Sequence, residues 1–146
     1  MTPATLRAQA IRLLARREYA RSELEERLLA RGGPLQEVRA LLEELERQGY
    51  LSNERYARAV VTRKSGGHSR RRIAAGLRAK GVSGDDIAAA LAEASPDDAI
   101  ALDALWQRKF GKAPIDEKEK ARQVRFLQSR GFALSAILKL LRGLDR

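Results

Sequence analysis

Apolar residues along this chain return at helical spacing around three glycines. Gly32, Gly81 and Gly131 each follow a basic residue (Arg31, Lys80, Arg130) and lie 49 and 50 residues apart. Four residues before each glycine stands Leu28, Leu77 or Leu127. Six after stands Val38, Ile87 or Ile137, and ten after stands Leu42, Leu91 or Leu141. This spacing predicts a helix that ends in a basic last turn, where positive charge suits the negative end of the dipole, followed by a left-handed glycine cap. A second helix then packs its plus-six and plus-ten residues, one turn apart, back onto the leucine. The helical hairpin therefore recurs three times. A further helix is expected before each hairpin, over about Ala4 to Arg17, Asn53 to Lys64 and Asp97 to Lys109. The candidate caps are Thr2 or Thr5, Ser52, and Ser95 ahead of Pro96.

Ala, Leu, Arg and Glu dominate throughout, and no window alternates apolar with polar residues, so strands are not expected. The reading is an all-α fold, an elongated tandem array of three three-helix repeats over residues 1–50, 51–95 and 96–146. A unit of this size buries a small core and is marginal alone, so neighbours are expected to share an interface. Trp106, Phe110, Phe126 and Phe132 read as core or inter-repeat contacts. Lys64–Ser69 and Gly111–Pro114 read as flexible connectors, and Gly32-Gly-Pro34 as a tight turn.

Several chemistries fall away on composition. The 146 residues include no Cys, which excludes disulfides, thiolate nucleophiles and thiolate metal sites, and nothing calls for an oxidising compartment. The longest stretch without a charged side chain runs from Gly131 to Leu138, far short of the roughly 18 apolar residues of a membrane span. The start, Met-Thr-Pro-Ala-Thr-Leu-Arg, has no basic-then-apolar pattern, so a secretory signal is not expected and the cytoplasm is the expected location. The lone His68 lies in a Gly/Ser stretch with no metal-spaced partner, and reads as an exposed loop imidazole. Gly66 and Gly67 lack the spacing and ending of a nucleotide loop. The glutamates at 23, 25 and 26 and at 43, 44 and 46, with Arg27 and Arg47 nearby, read as solvated surface pairs. No enzyme activity, metal or cofactor is expected.

Charge points elsewhere. Lys plus Arg number 29 against 19 Asp plus Glu, a net of +10, which favours a polyanionic partner. Residues 1–50 hold 9 basic and 8 acidic residues, 51–95 hold 9 and 4, and 96–146 hold 11 and 7, so the positive field belongs to the last two repeats. No acidic residue falls between Arg55 and Gly84, while Arg55, Arg58, Arg63, Lys64, Arg70, Arg71, Arg72, Arg78 and Lys80 all do. On a helix over Ser69 to Lys80, Ile73 and Leu77 mark the buried side. Arg71 and Arg78 point away from it, with Arg72 on the flank. Lys118, Arg122 and Arg125 form a second stripe at i, i+4 and i+7, opposite Val124 and Leu127. The candidate phosphate-contacting residues are Arg70, Arg71, Arg72, Arg78 and Lys80, followed by Lys118, Arg122, Arg125 and Arg130. The hairpin from Ser69 to Ile87 also has a helix-turn-helix look, but its second helix carries Asp85, Asp86, Glu93 and a face of Ala, with nothing to reach base edges. Backbone contact without strong sequence preference is therefore favoured over a sequence-specific duplex regulator. A pure protein adaptor, its charge serving solubility, is the remaining alternative.

Four stretches, in order, resemble the signature segments of the RecX regulatory proteins. They are Leu14-Ala-Arg-Arg-Glu-Tyr-Ala-Arg-Ser-Glu-Leu24, Gly49-Tyr-Leu-Ser-Asn-Glu-Arg-Tyr-Ala57, Arg72-Ile-Ala-Ala-Gly-Leu-Arg-Ala-Lys-Gly-Val82 and Phe126-Leu-Gln-Ser-Arg-Gly-Phe132. The chain departs from that pattern at Tyr50, Ser52 and Asn53. The resemblance implies a cytoplasmic, non-enzymatic modulator of the RecA recombinase, and a monomer is expected. Such a protein binds RecA filaments on single-stranded DNA, and inhibits ATP hydrolysis and strand exchange by blocking or destabilising filament growth. The family signature supplies no contact residues, so the cationic candidates above rest on charge alone.

Overall fold

The computed structural model of the chain describes residues 2–144. Met1, Asp145 and Arg146, at the outer ends of the first and third expected repeats, lie outside the described residues. Among the described residues there are nine α-helices and no strand. They are α1 (Pro3–Arg16), α2 (Arg21–Ala30), α3 (Leu35–Arg47), α4 (Asn53–Lys64), α5 (Arg70–Ala79), α6 (Gly84–Ala94), α7 (Asp98–Lys109), α8 (Glu117–Ser129) and α9 (Leu134–Gly143).

The glycine period corresponds to one local structure made three times. Gly32, Gly81 and Gly131 take φ of 95°, 80° and 94°, the left-handed region that glycine enters without a Cβ penalty. The amide after each glycine (Gly33, Val82, Phe132) donates to the carbonyl of Leu28, Leu77 or Leu127 at 3.0, 3.1 and 3.3 Å, closing the end of α2, α5 and α8. All nine residues of the apolar frame are buried.

Side-chain caps start two of the three leading helices as expected. Thr2 Oγ1 accepts from the Thr5 amide at 3.1 Å at the head of α1, and Ser52 Oγ accepts from the Arg55 amide at 3.1 Å at the head of α4. The third differs. Asp97, not Ser95, caps α7 by accepting from the Ala99 amide at 2.6 Å, because α7 begins only at Asp98 and Ser95 is too far back to reach its first amides. Asn53, one of the departures from the family pattern, accepts the Arg21 amide at 2.8 Å and so ties the start of α4 to the start of α2.

By contacts the described chain forms two compact units. One comprises the chain up to Val60 together with Leu77–Ala90, and the other Val61–Gly76 together with Leu91 onward. The helices α4, α5 and α6 each give residues to both. The first unit is built on α1, α2 and α3, with Leu6, Leu13, Leu24, Leu28, Leu42 and Leu45 in its core beside Tyr19 and Leu51. The second is built on α7, α8 and α9 around Leu105, Trp106, Leu127, Phe132, Ile137 and Leu141. Trp106 and Phe132 are core, and Phe110 and Phe126 are half-buried against it. The Trp106 indole N–H donates to Gln123 Oε1 at 2.9 Å, and Gln123, 1% exposed, donates in turn to the Lys112 carbonyl at 3.2 Å. Phe110 and Phe126 meet edge to face, with centroids 5.6 Å apart.

The Lys64–Ser69 stretch is not a loose connector. The Ser65 amide donates to Val61 O at 2.8 Å and the Gly67 amide to Lys64 O at 3.1 Å. The Ser69 amide donates to Arg130 O at 2.9 Å, and Ser69 itself is 1% exposed. Two adjacent glycines here allow a tight, packed turn that sets the start of α5 against the end of α8.

Candidate nucleic-acid interface

A cation attracts a phosphate only if its charge is not already neutralised at short range, so the basic residues divide by partner. The run from Arg55 to Gly84 is free of acids in sequence, but not in space. Arg55 Nε reaches Glu18 Oε1 at 3.0 Å, Arg58 pairs with Glu54 at 3.8 Å, and Lys80 Nζ lies 3.5 Å from Glu23 Oε2. Glu23 also accepts from Arg17 at 3.4 Å and from the Ala20 amide at 3.1 Å, at the head of α2. Burial pushes the Glu23 carboxyl up, but the Ala20 amide and the charges of Arg17 and Lys80 outweigh it and hold the group below its usual value. Lys80 is thus a structural clip, reinforced by the Ser22 hydroxyl donating to the Lys80 carbonyl at 2.6 Å.

Three of the other glutamates also have partners different from the neighbours in sequence. Glu25 accepts from Arg39 Nε at 2.8 Å, Glu46 pairs with Arg21, and Glu44 lies 3.7 Å from Arg7. Arg27 and Arg47 play none of these roles.

Two further candidates are held by carbonyls. Arg70 gives its amide to Asp98 Oδ1 at 2.9 Å and its Nη1 to the Ser95 carbonyl at 3.2 Å. Arg130 is half-buried, lies over the Phe126 ring at 4.9 Å, and donates Nη1 to the Gly67 carbonyl at 3.2 Å.

What remains is exposed and makes no side-chain ion pair among the described residues. Arg71, Arg72 and Arg78 on α5 make no side-chain ion pair among the described residues. Arg71 and Arg72 lie in the second unit and Arg78 in the first. On α8, Lys118, Arg122 and Arg125 line one shallow groove with Asp116 and Glu119. Both acids there are bound to backbone amides, Asp116 to that of Glu119 at 2.8 Å and Glu119 to that of Ile115 at 3.4 Å. Arg122 also lies 5.9 Å over the Phe110 ring. The second unit as a whole carries 16 basic and 8 acidic residues, net +8, against 13 and 11, net +2, for the first. Sequence reasoning missed Arg108, which donates Nη2 to the Gly66 carbonyl at 3.4 Å from 42 residues away, a separation no local pattern reveals.

Among the described residues no cluster of His, Asp and Glu could hold a metal ion, and no described helix is long and apolar enough to cross a membrane. Family models match the chain as RecX, second three-helix domain, over residues 52–91 and as RecX, third three-helix domain, over 97–141. The chain belongs to the RecX family. The protein named regulatory protein RecX of Pseudomonas savastanoi pv. phaseolicola is 43% identical over 144 residues, covering 97% of this chain and 93% of that one. Its namesake in Ralstonia pickettii is 34% identical over 143 residues, covering 98% and 90%. The fold is that of the crystal structure of RecX from Lactobacillus salivarius, with a TM-score of 0.70 at 17% identity over 98% of this chain and 96% of the other. A second RecX crystal structure gives 0.74 at 19% identity, over 97% of this chain and 73% of the other. This RecX family member thus has relatives named for regulation, and its cations stand unpaired mainly in the second unit.

Proposed function

We propose that this chain is a cytoplasmic, monomeric regulator of the RecA recombinase. It binds RecA filaments on DNA and inhibits ATP hydrolysis and strand exchange by blocking or destabilising filament growth. The repeats over 51–95 and 96–146 supply the contact, to DNA phosphates or to acidic filament surface, with no strong preference for base sequence. The observation that carries this reading is the set of exposed, unpaired cations on α5 and α8 in a chain of this family. Helix α6 argues against a duplex-specific regulator, since its first turn presents Asp85 and Asp86 and its last turn has no basic residue. The protein itself makes or breaks no bond: its effect on ATP hydrolysis is exerted through the filament.

The test is binding to RecA–single-stranded DNA filaments over a range of salt. Each lost phosphate contact on a single strand flattens the log–log salt dependence by about 0.7, so R71A/R72A/R78A should reduce the slope by about 2 and weaken binding at low salt. An unchanged affinity and slope would refute the assignment.

A further inference from the structure

The turn at Lys64–His68 is a meeting point for positive charge from four elements of the second unit. Lys64 ends α4, Arg72 stands in the first turn of α5, Arg108 in the last turn of α7, and Arg130 closes α8. Arg108 and Arg130 each place one guanidinium N–H on a carbonyl of the turn, at Gly66 and Gly67. A methyl group built on Gly67 would lie 3.5 Å from Arg130 Nη1 and 4.0 Å from Arg108 Nη2, so both guanidinium groups cover the same small face. Each has further N–H groups with no acceptor among the described residues. The charges acting on His68 are those of Arg130, Lys64 and Arg72, all positive. Asp98, the carboxylate bonded to this stretch, is engaged by the Arg70 amide. The amides heading α5 are taken as well, by Asp98 and by Ser69 Oγ, so the feature is a cluster of side chains and not a helix terminus. His68 Nδ1 is buried within this cluster with no hydrogen-bond partner.

Like charges gathered on one turn without a carboxylate repel one another, and an anion relieves that repulsion. We propose that this turn is a phosphate-binding site, in which Arg108, Arg130, Lys64 and Arg72 hold the anion and occupancy is coupled to protonation of His68. The source of the phosphate is either a nucleic-acid backbone or a free polyphosphate such as a nucleotide tail. The first of these rests on the function proposed above, whereas the site itself does not. Without an anion, burial and then the charges of Arg130, Lys64 and Arg72 outweigh the raising effect of the Lys64 backbone and hold the imidazole below its usual 6.5. A bound phosphate cancels part of that field, so His68 protonates more readily. By linkage the anion then binds more tightly as pH falls through the midpoint of the occupied site, and the gain levels off below that of the empty one.

His68 is the chain's only histidine, so its imidazole proton resonances report the site directly in the full-length protein. They are followed from about pH 5 to 8 at constant ionic strength in chloride alone, with pyrophosphate, and with a single-stranded oligonucleotide. Pyrophosphate should raise the midpoint by about one pH unit, equivalent to roughly tenfold tighter anion binding at the acid end. Arg108→Gln, at an exposed position, should remove most of that rise while Trp106 fluorescence shows the second unit still folded. If the oligonucleotide raises the midpoint as well, the phosphate comes from nucleic acid. If pyrophosphate alone does, the ligand is a free phosphate compound, and the site holds in either case. A midpoint that pyrophosphate leaves where chloride put it, or a rise that Arg108→Gln leaves intact, would overturn the site. Filaments bound by a protein whose His68 responds to neither pyrophosphate nor oligonucleotide would spare the filament-binding function while the site fell. A pyrophosphate response in a protein that ignores filaments would do the reverse.

Discussion

Gly131 sits where the end of α8 meets the start of α5, and its replacement by Ala separates two costs the structure assigns differently. The first is conformational. At φ 94° an L-residue is strained by about 1 to 2 kcal/mol, whatever the space around it. The second is steric. A Cβ at Gly131 would lie 2.6 Å from Arg72 Cβ, 3.3 Å from Arg72 Cδ, and closer still to Ser69 Oγ. Ser69 cannot swing away cheaply: it is buried, accepts the Arg72 amide at 3.1 Å, and gives its own amide to Arg130. Overpacking of this kind adds about 1 to 3 kcal/mol, so Gly131→Ala should cost about 2 to 5 kcal/mol in all. Gly32→Ala is the control, with φ 95° and no heavy atom within 4 Å of the added carbon, and should cost only the first part. Urea unfolding measures both. Trp106, the chain's only tryptophan, lies in the core of the second unit and reports Gly131→Ala by fluorescence, and helical circular dichroism reports Gly32→Ala. Equal losses for the two variants would refute the packed α5–α8 contact.

Two further outcomes follow from partners already described. Because the Glu23 carboxyl is held below its usual 4.5, its stabilising contribution is present above that value and lost as pH falls through the folded-state pKa. Unfolding free energies of the wild type and Glu23→Gln from urea titrations should therefore differ by about 1 kcal/mol near neutrality and converge in acid, and a gap that persists at about pH 3 would contradict this. Removing paired cations should not mimic removing unpaired ones. R55A/K80A takes away two charges already matched by Glu18 and Glu23, and should leave the salt slope of filament binding nearly unchanged, in contrast to R71A/R72A/R78A. A slope reduced by about 1.4, or two full contacts, would show that pairing does not decide which charges engage.

Much of the fold was legible in the sequence because one local device carries it. The Leu–Gly–apolar frame specifies a helix end, a reversal and a buried return helix within about 15 residues, and all of its positions are where that periodicity puts them. Ser95 was misread because Pro96 looked like a first helical residue, whereas Asp97 supplies the nearer oxygen. The Lys64–Ser69 stretch looked flexible because its glycines are visible in sequence while its restraints, the Arg130 carbonyl and the Arg108 and Arg130 guanidinium groups, come from 42 to 63 residues away. For the same reason charge was legible only as a total. That Lys80 faces Glu23 and Arg55 faces Glu18 depends on pairings 57 and 37 residues apart. Nothing in local spacing distinguishes those cations from Arg71 or Arg125.

RecA ATPase activity on single-stranded DNA, followed over time as the protein is titrated in from substoichiometric amounts, tests the central claim most directly. The wild type should inhibit, by progressive loss if it caps filament ends or only near saturation if it coats the groove, and R71A/R72A/R78A should need several-fold more protein for the same effect. Undiminished ATPase at equimolar wild-type protein, or equal inhibition by wild type and variant, would contradict it.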